Sequence, residues 1–181
     1  LGACDMAPSA AKGHKLIPKA NKERILQILK GSKIIDPTEN SINFEQYIKN
    51  DGYRTLSKII EGKITKEAVL EEIKKSGLRG LGGAGFPTHQ KWTIVKSETG
   101  TKYVAVNGDE GEPGTFKDRF YLEKNPHKVL EGMLIAAIVI GAKDCYFYIR
   151  DEYPEIRLFL NKEIKKVKLN IKSDITIHLR R

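Results

Sequence analysis

The chain has 181 residues, 40% hydrophobic and 30% charged, with a formal net charge of +9. That apolar fraction supports a packed core and excludes a disordered chain, and the length suits one domain or one and a half. The longest apolar stretch, Met133 to Ala142, is far short of the ~20 residues that cross a bilayer, and no secretory leader opens the chain, so the expectation is a soluble, cytoplasmic protein with no direct membrane insertion.

Residues 1–20 hold Gly2, Pro8, Gly13 and Pro18 and read as irregular. Asn21 suits the N-cap of a short helix over Lys22 to Lys30, with Gly31 just past its end. Residues 32–43 read as a linker. Phe44 to Asn50 and Arg54 to Glu61 read as short helices parted by Asp51-Gly52. Thr65 caps a clearer helix, Lys66 to Lys75, which Ser76-Gly77 ends. A glycine-dense segment follows, then an apolar strand from Tyr103 to Val106 that opens into an acidic loop over 107–118. Pro126, favoured in a first turn, starts a long helix reaching Gly141. A strand at 145–150, a helix at 154–166 and a strand at 174–180 complete the series. Strand–helix–strand–helix–strand predicts an α/β fold with a parallel sheet flanked by helices, preceded by a short helical segment.

Two segments carry chemistry. Arg79-Gly80-Leu81-Gly82-Gly83-Ala84-Gly85-Phe86-Pro87-Thr88 is a turn whose backbone N–H groups can approach an anion closely. Gly80, Gly82 and Gly85 match G-x-G-x-x-G, but a dinucleotide fingerprint should follow a strand, and this one follows a helix. A phosphate or flavin cradle of another type is the better reading, with a purely structural loop as the alternative. The second segment, Asn107-Gly108-Asp109-Glu110-Gly111-Glu112-Pro113-Gly114, sets three carboxylates at the end of a strand, where ligands of open α/β sheets bind. A hard metal would want further oxygen ligands at alternating positions, and none is there. Hydrogen bonding to ring N–H groups and ribose hydroxyls fits better; a solvated acidic loop is the plain alternative.

Other features read as structural. Lys162, Lys165, Lys166 and Lys168 form a solvated helix end, and without interleaved aromatics they imply no nucleic-acid partner. His14, His89, His127 and His178 show no ligand-like pairing, and His127 reads as structural. Two cysteines are too few for a disulfide framework. Cys145, in an apolar run, reads as a small core residue.

Taken together, Ser76 to Thr88, Lys91-Trp92, Asn107 to Arg119 and Asn125-Pro126-His127 through Met133 resemble one family: the FMN-binding, NADH-oxidising subunit of respiratory complex I, the 51 kDa type. Its relatives occur in NAD-reducing hydrogenases and NAD-dependent formate dehydrogenases. The resemblance covers about residues 52–181 and implies a partial Rossmann-like FMN-binding domain. It implies that Gly80, Gly83 and Lys91 hold the FMN phosphate, and that Asn107, Asp109 and Glu110 meet the flavin ring. Phe86 and Glu112 would contact NADH. Hydride would pass between NAD(H) and FMN, and electrons to or from iron–sulfur clusters in partner subunits of a multisubunit dehydrogenase, peripheral to a membrane through that complex. Leu81, His89 and Ile94 depart from the common pattern. Val104-Ala105-Val106-Asn107 and Arg150-Asp151-Glu152-Tyr153 look more like the formate dehydrogenase β-subunit.

Leu1 to Pro8 resemble the end of a thioredoxin-like [2Fe–2S] domain, which implies that residues 1–31 are a remnant of it and that Cys4 is a cluster ligand in a longer parent. Residues 32–51 would then be linker and short helix, and residues 52–181 the first part of the flavin domain. The parent would also carry a [4Fe–4S] cluster. The ends at Leu1 and Arg181 read as those of a fragment. The rival reading is a folded interaction module that binds no flavin by itself.

Overall fold

The computed structural model describes residues 3–13, 15–34, 36–81 and 83–181. The N-terminal segment is less irregular than its sequence. A 3-10 turn at Cys4–Met6 precedes an antiparallel hairpin of β1 (Ala10–Lys12) and β2 (Lys15–Ile17). Strands of three residues are too short to register an alternation. His14 lies outside the described residues, as do Leu1 and Gly2 of the N-terminal motif.

The helices begin where their caps stand. In α1 (Lys22–Leu29) Asn21 Oδ1 accepts from Arg24 N–H at 2.8 Å. Asn43 and Gln46 form a reciprocal capping box at α2 (Phe44–Lys49). After α3 (Arg54–Ile60), Thr65 Oγ1 accepts from Ala68 N–H at 3.1 Å and starts α4 (Lys66–Ser76). Two further helices lack a sequence signal. α5 (Thr88–Ser97) leaves the glycine segment directly, with Pro87 at its cap and no side-chain capping bond. α6 (Lys117–Lys124) follows the acidic loop; its few apolar residues, Phe120-Tyr121-Leu122, are consecutive and give no helical stripe.

Three parallel strands carry the second half, in the order β3 (Tyr103–Gly108), β4 (Asp144–Ile149), β5 (Thr176–Arg180). The crossovers are α6 with α7 (Pro126–Ile140), then α8 (Pro154–Asn170). Cys145, Phe147 and Ile149 of β4 are fully buried against Leu134 and Ala137 of α7 and Ile156, Leu160 and Val167 of α8. Burial pushes the Cys145 thiol up to about 11, with Asp144 adding to the shift. The opposite face of the sheet, carrying Tyr103 and Tyr148, is largely exposed, so the flanking helices lie on one side. Among the described residues no helix is long and apolar enough to cross a membrane.

His127 is structural, as expected. Fully buried, its Nδ1 lies 2.8 Å from the Tyr53 hydroxyl and its Nε2 3.0 Å from Glu163 Oε2. The same Glu163 oxygen accepts from Phe44 N–H at 2.7 Å. Glu131 accepts from the Tyr47 hydroxyl at 2.7 Å and from Tyr53 N–H at 3.0 Å. These bonds seat α2 and α3 on α7 and α8. Of the lysine cluster, Lys162, Lys165 and Lys168 are exposed, whereas Lys166 pairs with Glu45 at 2.9 Å.

Candidate flavin and nucleotide site

The glycine segment is a closed loop between α4 and α5. Gly80 N–H donates to Phe86 C=O at 3.0 Å and Thr88 N–H to Leu78 C=O at 2.9 Å, bridging Arg79 to Pro87. The Arg79 guanidinium donates to Gly85 C=O at 3.1 Å. The resemblance implies that Gly80 offers its N–H to a phosphate; here that donor closes the loop. Gly82, the middle glycine of the G-x-G-x-x-G spacing, lies outside the described residues. Gly83 has φ +78°, a left-handed conformation that penalises any side chain. A Cβ there would meet no atom within 4 Å, so open space faces it. Among the described residues the N–H groups of Leu81, Gly83, Ala84 and Gly85 are paired with no acceptor.

The loop ends at the positive end of the α5 dipole. Lys91 stands exposed near the start of α5, and among the described residues it has no ion pair. Phe86 is 46% exposed on the loop itself. Trp92 and Val95 pack α5 against the core, which gives the loop a fixed base.

The acidic loop grows from the carboxyl end of β3. Gly108 is required by packing: a Cβ there would lie 2.8 Å from Tyr148 C=O of the adjacent strand. Asn107 Oδ1 accepts from Asp109 N–H at 2.9 Å, an Asx-type turn that sends the chain out of the sheet. Asn107, Asp109, Tyr148, Arg150 and Asp151 line one open cleft at the strand ends. Gly83, Phe86 and Lys91 are not on its walls.

The three carboxylates do not act as a set. Asp109 is exposed. Glu112 is exposed too, and its backbone C=O accepts from the Thr115 hydroxyl at 2.6 Å. Glu110, expected to face a flavin ring, is instead turned inward. Its side chain is 1% exposed, and its oxygens accept from Asp118 N–H at 3.0 Å and Arg119 N–H at 3.3 Å, with Lys117 Nζ 3.5 Å away. Glu110 thus caps α6. Burial opposes its charge, but the two N–H bonds and Lys117 outweigh it and hold the carboxyl below its usual range. The sequence carries no signal for this role because α6 itself has no pattern.

Cys4 is exposed, and its Sγ accepts from Gly114 N–H of the acidic loop at 3.3 Å. The adjacent Asp5 pairs with the buried Arg119, whose other arm holds Glu123 at 2.9 Å. One exposed and one core cysteine do not make a cluster site, and among the described residues no three His, Cys, Asp or Glu side chains converge on a metal position.

Comparison with known proteins places the chain in a family. Residues 73–180 match the family described as the Nuo51 FMN-binding domain. The chain is 40% identical over 158 residues to the F subunit of NADH-quinone oxidoreductase from Aquifex aeolicus (strain VF5), covering 87% of this chain and 36% of that one. It is 50% identical over 108 residues to an F subunit of NADH-quinone oxidoreductase from Rhizobium meliloti (strain 1021), covering 59% and 25%. A crystal structure of an NAD+-reducing [NiFe]-hydrogenase in the air-oxidized state superposes with TM-score 0.75 at 26% identity, over 99% of this chain and 34% of that one. The chain therefore spans about a third of the length of these relatives. The α/β fold, the glycine loop and the match over 73–180 lead to one conclusion: this chain belongs to the Nuo51 FMN-binding domain family.

Proposed function

We propose that this chain binds FMN and NAD(H) and forms part of the site where hydride passes between them, within a larger NADH-oxidising assembly. The observation that carries the reading is that, among the described residues, the N–H groups of Leu81, Gly83, Ala84 and Gly85 have no acceptor, directly ahead of α5 and Lys91. A phosphate dianion supplies what those donors lack. In this reading Gly83 and its neighbours hold the phosphate, and Lys91 adds a cation. Asn107 and Asp109 offer polar partners to the flavin edge, and Phe86 and Glu112 orient the nicotinamide nucleotide. Gly80 and Glu110 shape the two loops without touching the ligand. Bound FMN would supply the hydride-accepting and one-electron chemistry, and the protein would position it and exclude water.

We assign no iron–sulfur step to these residues, because no ligand set for a cluster converges among the described residues. Cys4 as one ligand of a [2Fe–2S] cluster, and a [4Fe–4S] cluster elsewhere, belong to the proposal for a longer parent only. Partner subunits follow from the relatives named above, which are subunits of multisubunit oxidoreductases or parts of a hydrogenase. Those relatives lend no support to a formate dehydrogenase type. We also place α2 with the flavin-binding unit rather than with a linker, since Phe44 packs in the same core as Tyr53 and Leu56.

The test is reconstitution. The protein in its native assembly, incubated with FMN and desalted, should retain flavin absorbance and oxidise NADH with an artificial acceptor. Folded protein that retains no flavin and oxidises no NADH would leave the interaction-module reading in its place.

A further inference from the structure

The acidic loop is held from outside by one residue of the neighbouring strand end. Arg150 follows β4, and its Nη1 donates to Glu110 C=O. Its Nη2 donates to Glu152 Oε1 at 2.9 Å and its Nε to Glu152 Oε2 at 3.3 Å, a forked pairing that fixes the plane of the guanidinium. Nε also lies 3.8 Å from Asp109 Oδ1, and the guanidinium carbon lies 5.8 Å from the centre of the Tyr153 ring. The side chain is only 17% exposed. From its inner side the loop is anchored by the Glu110 carboxylate on α6. The backbone between Asp109 and Glu112 is thus gripped on both sides of Glu110, while the Asp109 and Glu112 carboxylates stay exposed.

We infer that Arg150 is a positioning residue: held by Glu152 and Tyr153, it sets the backbone of the acidic loop so that Asp109 and Glu112 point where flavin and nucleotide need them. The inference rests on the proposed binding of FMN and NAD(H). It asks of Arg150 no contact with either ligand. Lysine cannot replace it fully, because one ammonium cannot reach the Glu110 carbonyl and also fill both oxygens of Glu152 in a plane.

Three variants test it in the assembled protein: Arg150→Gln, Arg150→Lys and Glu152→Gln. In the flavin-free state, hydrogen exchange of residues 109–116 should quicken in Arg150→Gln while α7 exchanges as in the wild type. FMN is then added to saturation, so that NADH kinetics are compared at full flavin content. The kcat/KM for NADH should fall about tenfold to a hundredfold, the scale of a displaced contact. Arg150→Lys and Glu152→Gln should fall between, and millimolar guanidinium should restore part of the Arg150→Gln loss. Unchanged exchange in the loop, or kcat/KM within about twofold of wild type at full flavin content, overturns the inference while leaving the proposed function standing. Flavin loss in folded Arg150→Lys with unchanged exchange in the loop also overturns it, by making Arg150 a flavin contact. A wild-type protein that takes up no flavin overturns the proposed function, and the inference with it.

Discussion

Three neighbouring acids of one loop divide into two kinds of surroundings. Asp109 and Glu112 face solvent, and Glu110 lies under α6. Replacing Glu110 by Gln keeps its shape but removes the charge at a helix N-terminus, and should lower stability by about 1–2 kcal/mol, read by urea denaturation. Its folded-state pKa lies below the ordinary 4.5, so the stability it gives is complete above that pH and is lost as pH falls through the folded value. The wild type should therefore lose its advantage over Glu110→Gln in acid. Glu112→Gln should behave in the opposite way: stability and flavin content unchanged, KM for NADH raised or kcat lowered. Flavin loss in that variant, with normal kinetics in the loaded remainder, would assign the carboxylate to FMN. Nothing in the string Asp-Glu-Gly-Glu separates these roles, because the partner of Glu110 is the backbone of a helix that the sequence does not announce.

At the scale of elements, caps are the legible signal. Asn21, Thr65 and Pro126 mark their helices, and Gly31, Gly77 and Gly141 end theirs with positive φ. Two kinds of element are silent in the sequence: α5, which has no capping side chain, and β1 and β2, which are three residues each. The place of His127 after Pro126 is enough to read it as structural. Its partners Tyr53 and Glu163 are not legible in the same way, since they come from parts of the chain far away in sequence. Burial holds the His127 ring below its ordinary 6.5, against the pull of Glu163. As pH falls, the unfolded chain therefore takes up this proton first. The stability that the neutral ring gives is complete above about pH 6.5 and is lost as pH falls through the folded value. Melts of the wild type and His127→Gln between neutral and mildly acidic pH should converge on the acid side. Parallel curves would show that His127 titration contributes nothing to stability. Tyr53→Phe, which deletes one bond to the ring, should cost about 0.5–1.5 kcal/mol.

On the scale of the whole molecule, the parallel order β3–β4–β5 follows from the alternation of strands and helices, and it puts Asn107, Asp109 and Arg150 at one set of strand ends. The glycine loop sits apart from that cleft, at the head of α5, so two loops on different elements carry the two ends of the proposed ligand. Phosphate binding by the glycine loop is the central claim, and FMN titration followed by quenching of flavin fluorescence tests it most directly. The wild type should bind saturably, and Gly83→Val should retain no FMN, because its branched side chain is disfavoured at positive φ and would cover the free N–H groups. Lys91→Ala should lose about 1.5–3 kcal/mol of binding, the scale of a charged hydrogen bond. Wild-type FMN affinity in both variants would contradict the assignment of the phosphate to this loop.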